Sequence, residues 1–68
     1  MKKFKIDGEY IELIQFLKAE GLAESGGYAK KMVDAKLLWV NGAIETRYRY
    51  KLRAGDKVEF KKRIFIME

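Results

Sequence analysis

Between Ala35 and Leu38 the spacing of apolar residues changes from a helical period to a strand period, and that switch decides which folds are open to the chain. Before it, Tyr10, Leu13, Ile14 and Leu17 recur at intervals of three and four, with Phe16 beside them. Glu12, Gln15 and Lys18 cover the other side. The spacing predicts an amphipathic helix over Glu9 to Glu20, with Asp7 placed to cap its start and Gly21 to close it. Leu22 is expected to tuck under that turn. A second helix is expected from Ser25, a good N-cap, with Ala29, Met32 and Val33 inward and Lys30, Lys31 and Asp34 outward. So short a connection implies an antiparallel or steeply crossed hairpin of helices.

After the switch the period is two. Leu37 to Val40 reads as a strand, and Asn41-Gly42 is a two-residue hairpin turn into Ala43-Ile44. Ala54-Gly-Asp56 is a second turn, leading to Lys57–Phe60 with Val58 and Phe60 inward. Lys61 to Arg63 then turns the chain into Ile64–Met67. At the front, Lys2 to Ile6 alternates as a short edge strand. The expected architecture is α+β: two helices packed on a small, mostly antiparallel sheet of four or five short strands. Leu13, Leu17, Met32, Val58 and Phe60 are its expected core.

Size and composition remove several classes of function. At 68 residues the chain has room for one core, so residues 1–68 are expected to form one unit. It has no Cys and no His, so disulfides, thiolate nucleophiles, Cys/His zinc sites and imidazole acid–base chemistry are not available. One Ser, one Thr and carboxylates spread mainly along helix surfaces do not suggest an enzyme. No unbroken apolar stretch exceeds four residues, too few to span a bilayer or to follow the lysines at the start as a signal peptide would. The expectation is a cytoplasmic protein with no membrane, cofactor, metal or small-molecule substrate.

The charge points to an anionic partner. The net charge is +5, and it is unevenly placed. Residues 47 to 63 hold eight cations against Asp56 and Glu59, whereas residues 1 to 24 hold four cations and five acids. Within this region Arg47-Tyr-Arg-Tyr-Lys-Leu-Arg53 alternates cation with aromatic or aliphatic. An extended chain would send Arg47, Arg49, Lys51 and Arg53 to one face, about 7 Å apart, where they repel unless an anion lies across from them. A phosphate backbone has charges at a comparable repeat. The alternative is a solvated edge strand whose cations prevent aggregation.

Ser25, Ala29, Val33, Leu38-Trp-Val40, Asn41-Gly42 and Gly55-Asp56 ahead of Val58 resemble, in order and spacing, the signature of the RNA-binding domain family of ribosomal small-subunit protein four. The resemblance covers about residues 10 to 60. The short chain, with a strand before the helices and little after the sheet, is similar to small stand-alone bacterial members. It implies the αL RNA-binding motif, a helix hairpin and adjoining strand presented to structured RNA, mostly ribosomal or transfer RNA. Carried over by position, it nominates Ser25, Tyr28, Lys30, Lys31, Lys36 and Trp39 as contacts, besides Arg47, Arg49, Lys51 and Arg53 after the hairpin. Gly26 stands where the family often has Arg. Lys36 stands where it usually has Gly, which puts a Cβ where a left-handed backbone is often needed.

Each nomination has a plainer reading beside it. Ser25-Gly26-Gly27 is either a phosphate-binding helix start or a loosened turn. Trp39 faces away from Leu38 and Val40, to stack on a base or to cover the second side of the sheet. Tyr48 and Tyr50 fit the inner face better than a platform for bases. The function expected is non-catalytic binding by a monomer to structured RNA, ribosomal RNA or an assembling ribosomal particle. The alternative is an adaptor whose basic patch or sheet edge binds an acidic protein.

Overall fold

A computed structural model describes residues 1–68. Strand β1 (Lys2–Phe4) opens the chain. The two-residue strand β2 (Ile11–Glu12) leads directly into helix α1 (Leu13–Ala19), and α2 (Gly26–Asp34) follows. Strands β3 (Leu38–Val40), β4 (Ala43–Ile44), β5 (Lys51–Leu52), β6 (Lys57–Phe60) and β7 (Arg63–Met67) complete it. Five of them form a sheet in the order β1-β7-β6-β3-β4, antiparallel except for the β1–β7 pair. β2 and β5 form a separate antiparallel ribbon. This is the expected α+β arrangement, with the ribbon added.

Both helices pack on one face of the sheet. Alternation along the strands sends Leu38, Val40, Val58, Phe65 and Met67 to that face, and all are buried. They meet Leu13, Phe16 and Leu17 of α1 and Ala29, Met32 and Val33 of α2. Phe16 is the centre, with edge-on rings of Phe4 at 5.0 Å and Phe65 at 5.4 Å. Phe60 and Leu22 pack against this core from its rim.

The two helices end in the same way. After α1, the Gly21 amide donates to Lys18 O and the Leu22 amide to Leu17 O. After α2, the Lys36 amide donates to Val33 O and the Leu37 amide to Met32 O. This geometry needs a left-handed residue at the first position past the cap, and Gly21 (φ 82) and Lys36 (φ 61) both adopt it. At Lys36 the requirement falls on a residue with a Cβ.

The start of α1 differs from the expectation. The helix begins at Leu13 rather than Glu9, and its cap is Glu12 rather than Asp7. Gln15 Oε1 accepts the Glu12 amide at 3.1 Å. The preceding residues are drawn into the ribbon, where Ile11 lies opposite Leu52 and Glu12 opposite Lys51. Backbone pairing with a distant segment outweighs the helical pattern of Tyr10 to Leu13.

Two turns interlock at one end of the sheet. Asn41 (φ 52) and Gly42 (φ 88) form the β3–β4 hairpin turn, both with positive φ as a type I′ turn requires. Asn41 Nδ2 donates to Asp56 Oδ1 at 3.0 Å, and its Oδ1 accepts the Lys57 amide at 2.9 Å. Asp56 Oδ2 accepts the Arg53 amide at 2.8 Å, closing the turn that contains Gly55 (φ 94). The hairpin is thereby tied to the start of β6.

The strain at Lys36 can be measured. Lys36→Gly should raise stability by about 0.5 to 1 kcal/mol, relief of the left-handed conformation less the added entropy of an unfolded Gly. The check is a higher urea midpoint at unchanged slope. A midpoint that stays put or drops would show that Lys36 adopts its φ without cost.

Candidate nucleic-acid interface

The cationic run is not one strand. Only Lys51 and Leu52 pair as β5. Before them the chain makes a turn at Tyr48-Arg49, in which the Tyr50 amide donates to Arg47 O at 3.1 Å. The alternation still survives in burial: Tyr48 and Tyr50 pack against the core and Leu52 lies within it, while Arg47, Arg49, Lys51 and Arg53 are exposed. What holds this irregular segment is the start of α1. The Leu13 amide donates to Tyr50 O at 2.8 Å and the Ile14 amide to Tyr48 O at 3.0 Å, supplying partners that a first helical turn otherwise lacks.

The four cations, with Tyr50, line one open depression of about 410 Å³. Their mutual repulsion is partly relieved within the protein. Arg47 Nε and Nη2 donate to Glu45 at 2.9 and 3.1 Å, and the Arg47 amide donates to the same carboxylate at 2.9 Å. Arg49 Nε reaches Glu12 at 3.4 Å. Lys51 and Arg53 have no carboxylate partner and lie 5.0 and 5.7 Å from the Tyr10 ring. Tyr10, expected on the inner stripe of α1, therefore sits half-exposed on the cationic surface.

Helix α2 joins this surface through one contact. Lys30 Nζ lies 4.7 Å from the centroid of the Tyr48 ring, near the start of the run. Tyr28 and Lys31 are exposed on the same helix, without an ion pair. Ser25 is the N-cap: its Oγ accepts the Tyr28 amide at 3.1 Å. A Cβ at Gly26 would meet nothing within 4 Å, and one at Gly27 only Ser25 Oγ at 3.9 Å, so packing does not call for these glycines.

Two nominated residues lie elsewhere. Lys36 follows the C-terminus of α2, at the opposite end of that helix from Ser25. Trp39 projects from the sheet face turned away from the helices, because its neighbours Leu38 and Val40 are the buried ones. The structure thus brings Lys30 of α2 to the run, and places Trp39 on the other side of the sheet. Glu45, Glu12 and Tyr10 were not singled out from the sequence. Glu45, two residues before Arg47, was the one readable counter-ion; Glu12 is 37 positions from Arg49.

The Arg47 side chain, hydrogen-bonded to Glu45, holds the Glu45 carboxyl below its ordinary value of 4.5, with the Arg47 amide adding to the effect and burial opposing it. A carboxyl with a depressed folded-state value stabilises the fold fully above the unfolded value, and the contribution is lost as pH falls through the folded one. Glu45→Gln should therefore lower the urea midpoint at pH 7, and the gap to the parent should narrow below about pH 4.5. A gap equal at pH 7 and pH 3 would show that ionisation of Glu45 contributes nothing.

The sequence pattern of the S4 domain family matches residues 4–67. The chain belongs to that family. YbcJ of Escherichia coli (strain K12), named for RNA binding, is 45% identical over 51 residues, 75% of this chain and 73% of that protein. RlbA of Bacillus subtilis (strain 168), named for ribosome maturation, is 43% identical over 54 residues, 79% of this chain and 76% of that protein. The solution structure of Escherichia coli YbcJ, described as containing an αL motif involved in RNA binding, matches with a TM-score of 0.72 and 37% identity. That match covers 98% of this chain and 86% of the other.

Proposed function

We propose that this chain binds structured RNA, and specifically ribosomal RNA or an assembling ribosomal particle, through the helix-side cationic surface and without catalysis. The observation that carries the reading is the seating of Lys30 over Tyr48. It brings a cation of α2 onto the surface of the basic run. The names of YbcJ and RlbA, for RNA binding and for ribosome maturation, support this reading.

The chemistry favours shape over sequence. The groups offered are ammonium and guanidinium ions, which pair with phosphates, while base edges are read by bidentate side chains set in a groove. Lys51, Arg53, Lys30 and Lys31 carry no intramolecular ion pair and are the principal contacts proposed. Arg49 joins them by exchanging Glu12 for phosphate. Arg47 stays on Glu45 and shapes the depression, and Ser25 acts through the helix start that it caps. The chain works as a monomer in the cytoplasm.

With about four or five phosphates neutralised, log affinity should fall against log salt with a slope of about −3 to −4. Lys51→Ala combined with Arg53→Ala should weaken binding to every RNA tested and flatten the slope by about 2. Both residues are exposed, so the far-ultraviolet spectrum and urea midpoint should be unchanged. The readout is fluorescence anisotropy with a labelled ribosomal RNA fragment and a duplex DNA of equal length, over a series of KCl concentrations. A slope unaltered by the double substitution rejects the surface, and a preference for DNA rejects the RNA reading.

A further inference from the structure

The face of the sheet opposite the helices holds an apolar patch that RNA binding on the helix side does not use. Trp39 and Ile44 lie directly across from one another on β3 and β4, each 43% exposed. Leu37, two residues before Trp39 and 42% exposed, shares that side of the chain by alternation. Ile64 continues the patch across the sheet, since it pairs with Glu59, which pairs with Trp39. Three of the chain's six exposed large hydrophobic residues are thus gathered in one place. Such clustering on a small domain marks an interaction surface, where the same residues scattered would not.

The patch borders an open sheet edge. β4 is the outermost strand on its side. Val40 and Ala43 flank the two-residue turn, and the Glu45 amide donates to Leu38 O at 2.9 Å. Hydrogen-bonded and non-bonded pairs alternate in an antiparallel ladder, so Ile44 falls at the non-bonded position opposite Trp39. Its N–H and C=O therefore point away from the sheet, where an added strand would pair with them.

We infer that this face and edge receive an extended segment of a partner protein, apolar at its centre and acidic at the end that lies near Leu37, added alongside β4. The apolar residues of the segment rest on Trp39 and Ile44, and its backbone completes the rung at Ile44. The acidic end follows from the surroundings: Lys36 precedes Leu37, and Lys61 follows Phe60, the residue paired with Leu38, so both lysines stand at the same end of the patch. Neither lysine has a carboxylate partner. A nucleic acid is the poorer occupant, because Leu37, Ile44 and Ile64 offer no ring to stack on and Glu59 lies next to Trp39. A protein docked here leaves the cationic surface on the helix side open.

Trp39 is the only tryptophan, so its emission reports on this face directly. The probe is the peptide Glu-Glu-Val-Thr-Val-Thr-Glu-Glu, titrated into the full chain at low salt. Its controls are the same peptide with lysine for each glutamate, the same peptide with proline for the first threonine, and oligouridylate. A saturable blue shift with the acidic peptide is expected, at least tenfold weaker with either peptide control and absent with oligouridylate. Ile44→Glu should weaken the acidic peptide at least tenfold, whereas Lys51→Ala with Arg53→Ala should leave it unchanged. The proposal fails if millimolar acidic peptide leaves the emission unmoved, or if the lysine peptide binds equally well. A shift with oligouridylate would make the face a base platform. A shift with protein concentration alone, matched by sedimentation of a dimer, would make its occupant a second copy. The peptide comparison uses the unsubstituted protein, so it stands even if Ile44→Glu fails to fold.

Discussion

The amides of Leu13 and Ile14 open α1 and would lack intrahelical partners there. They donate instead to the carbonyls of Tyr50 and Tyr48, thirty-odd residues further along the chain. Much of the helix-side surface depends on this exchange. It ends the β2–β5 ribbon at the helix start, and it holds a turn-containing segment that no sheet supports. By fixing Tyr48, it also brings the basic run under Lys30. A longer α1 starting at Glu9 would have satisfied those amides internally and left the run without its anchor.

That exchange explains which parts of the structure were legible beforehand. Ser25 as a cap, the Ala29–Met32–Val33 stripe, the Asn41-Gly42 turn and the closing role of Gly21 are local, each decided by a few adjacent residues. The left-handed turn at Lys36 was legible too, through the family pattern it departs from. The ribbon was not, because Ile11 and Glu12 carry no mark of pairing with residues forty positions away. Residues 47–53 failed in a more instructive way. Their alternation was read as a strand, yet it arises because Tyr48, Tyr50 and Leu52 must reach the core from an irregular backbone. Period two reported which side chains go inward, and not the conformation that sends them there.

The candidate surface was legible to a similar degree. Charge alone identified the four cations, and they do share one depression. Charge could not show that Glu45 and Glu12 engage two of them. That difference changes how Arg47 is understood. With three hydrogen bonds to a carboxylate that is only 8% exposed, it is part of the framework, and removing it would strand Glu45. On this surface the cations without a carboxylate partner are Lys51, Arg53 and Lys30.

The most recognisable sequence features have a structural explanation of the same kind. Asn41-Gly42 and Gly55-Asp56 stand far apart in the chain, but Asn41 and Asp56 are directly hydrogen-bonded, and between them they hold the amides of Lys57 and Arg53. Position 41 must also accept a positive φ, which Asn does more readily than most residues, so the same side chain serves the turn and the link. The cluster fixes β3 and β4 against β6, and so sets Trp39 beside Glu59 and opposite Ile44. It also closes the turn that carries Arg53. One polar cluster thereby orients both the apolar sheet face and the end of the cationic run. A sheet with helices on one side only must leave its other side bare, and here the alternation that buries Leu38 and Val40 is what exposes Trp39.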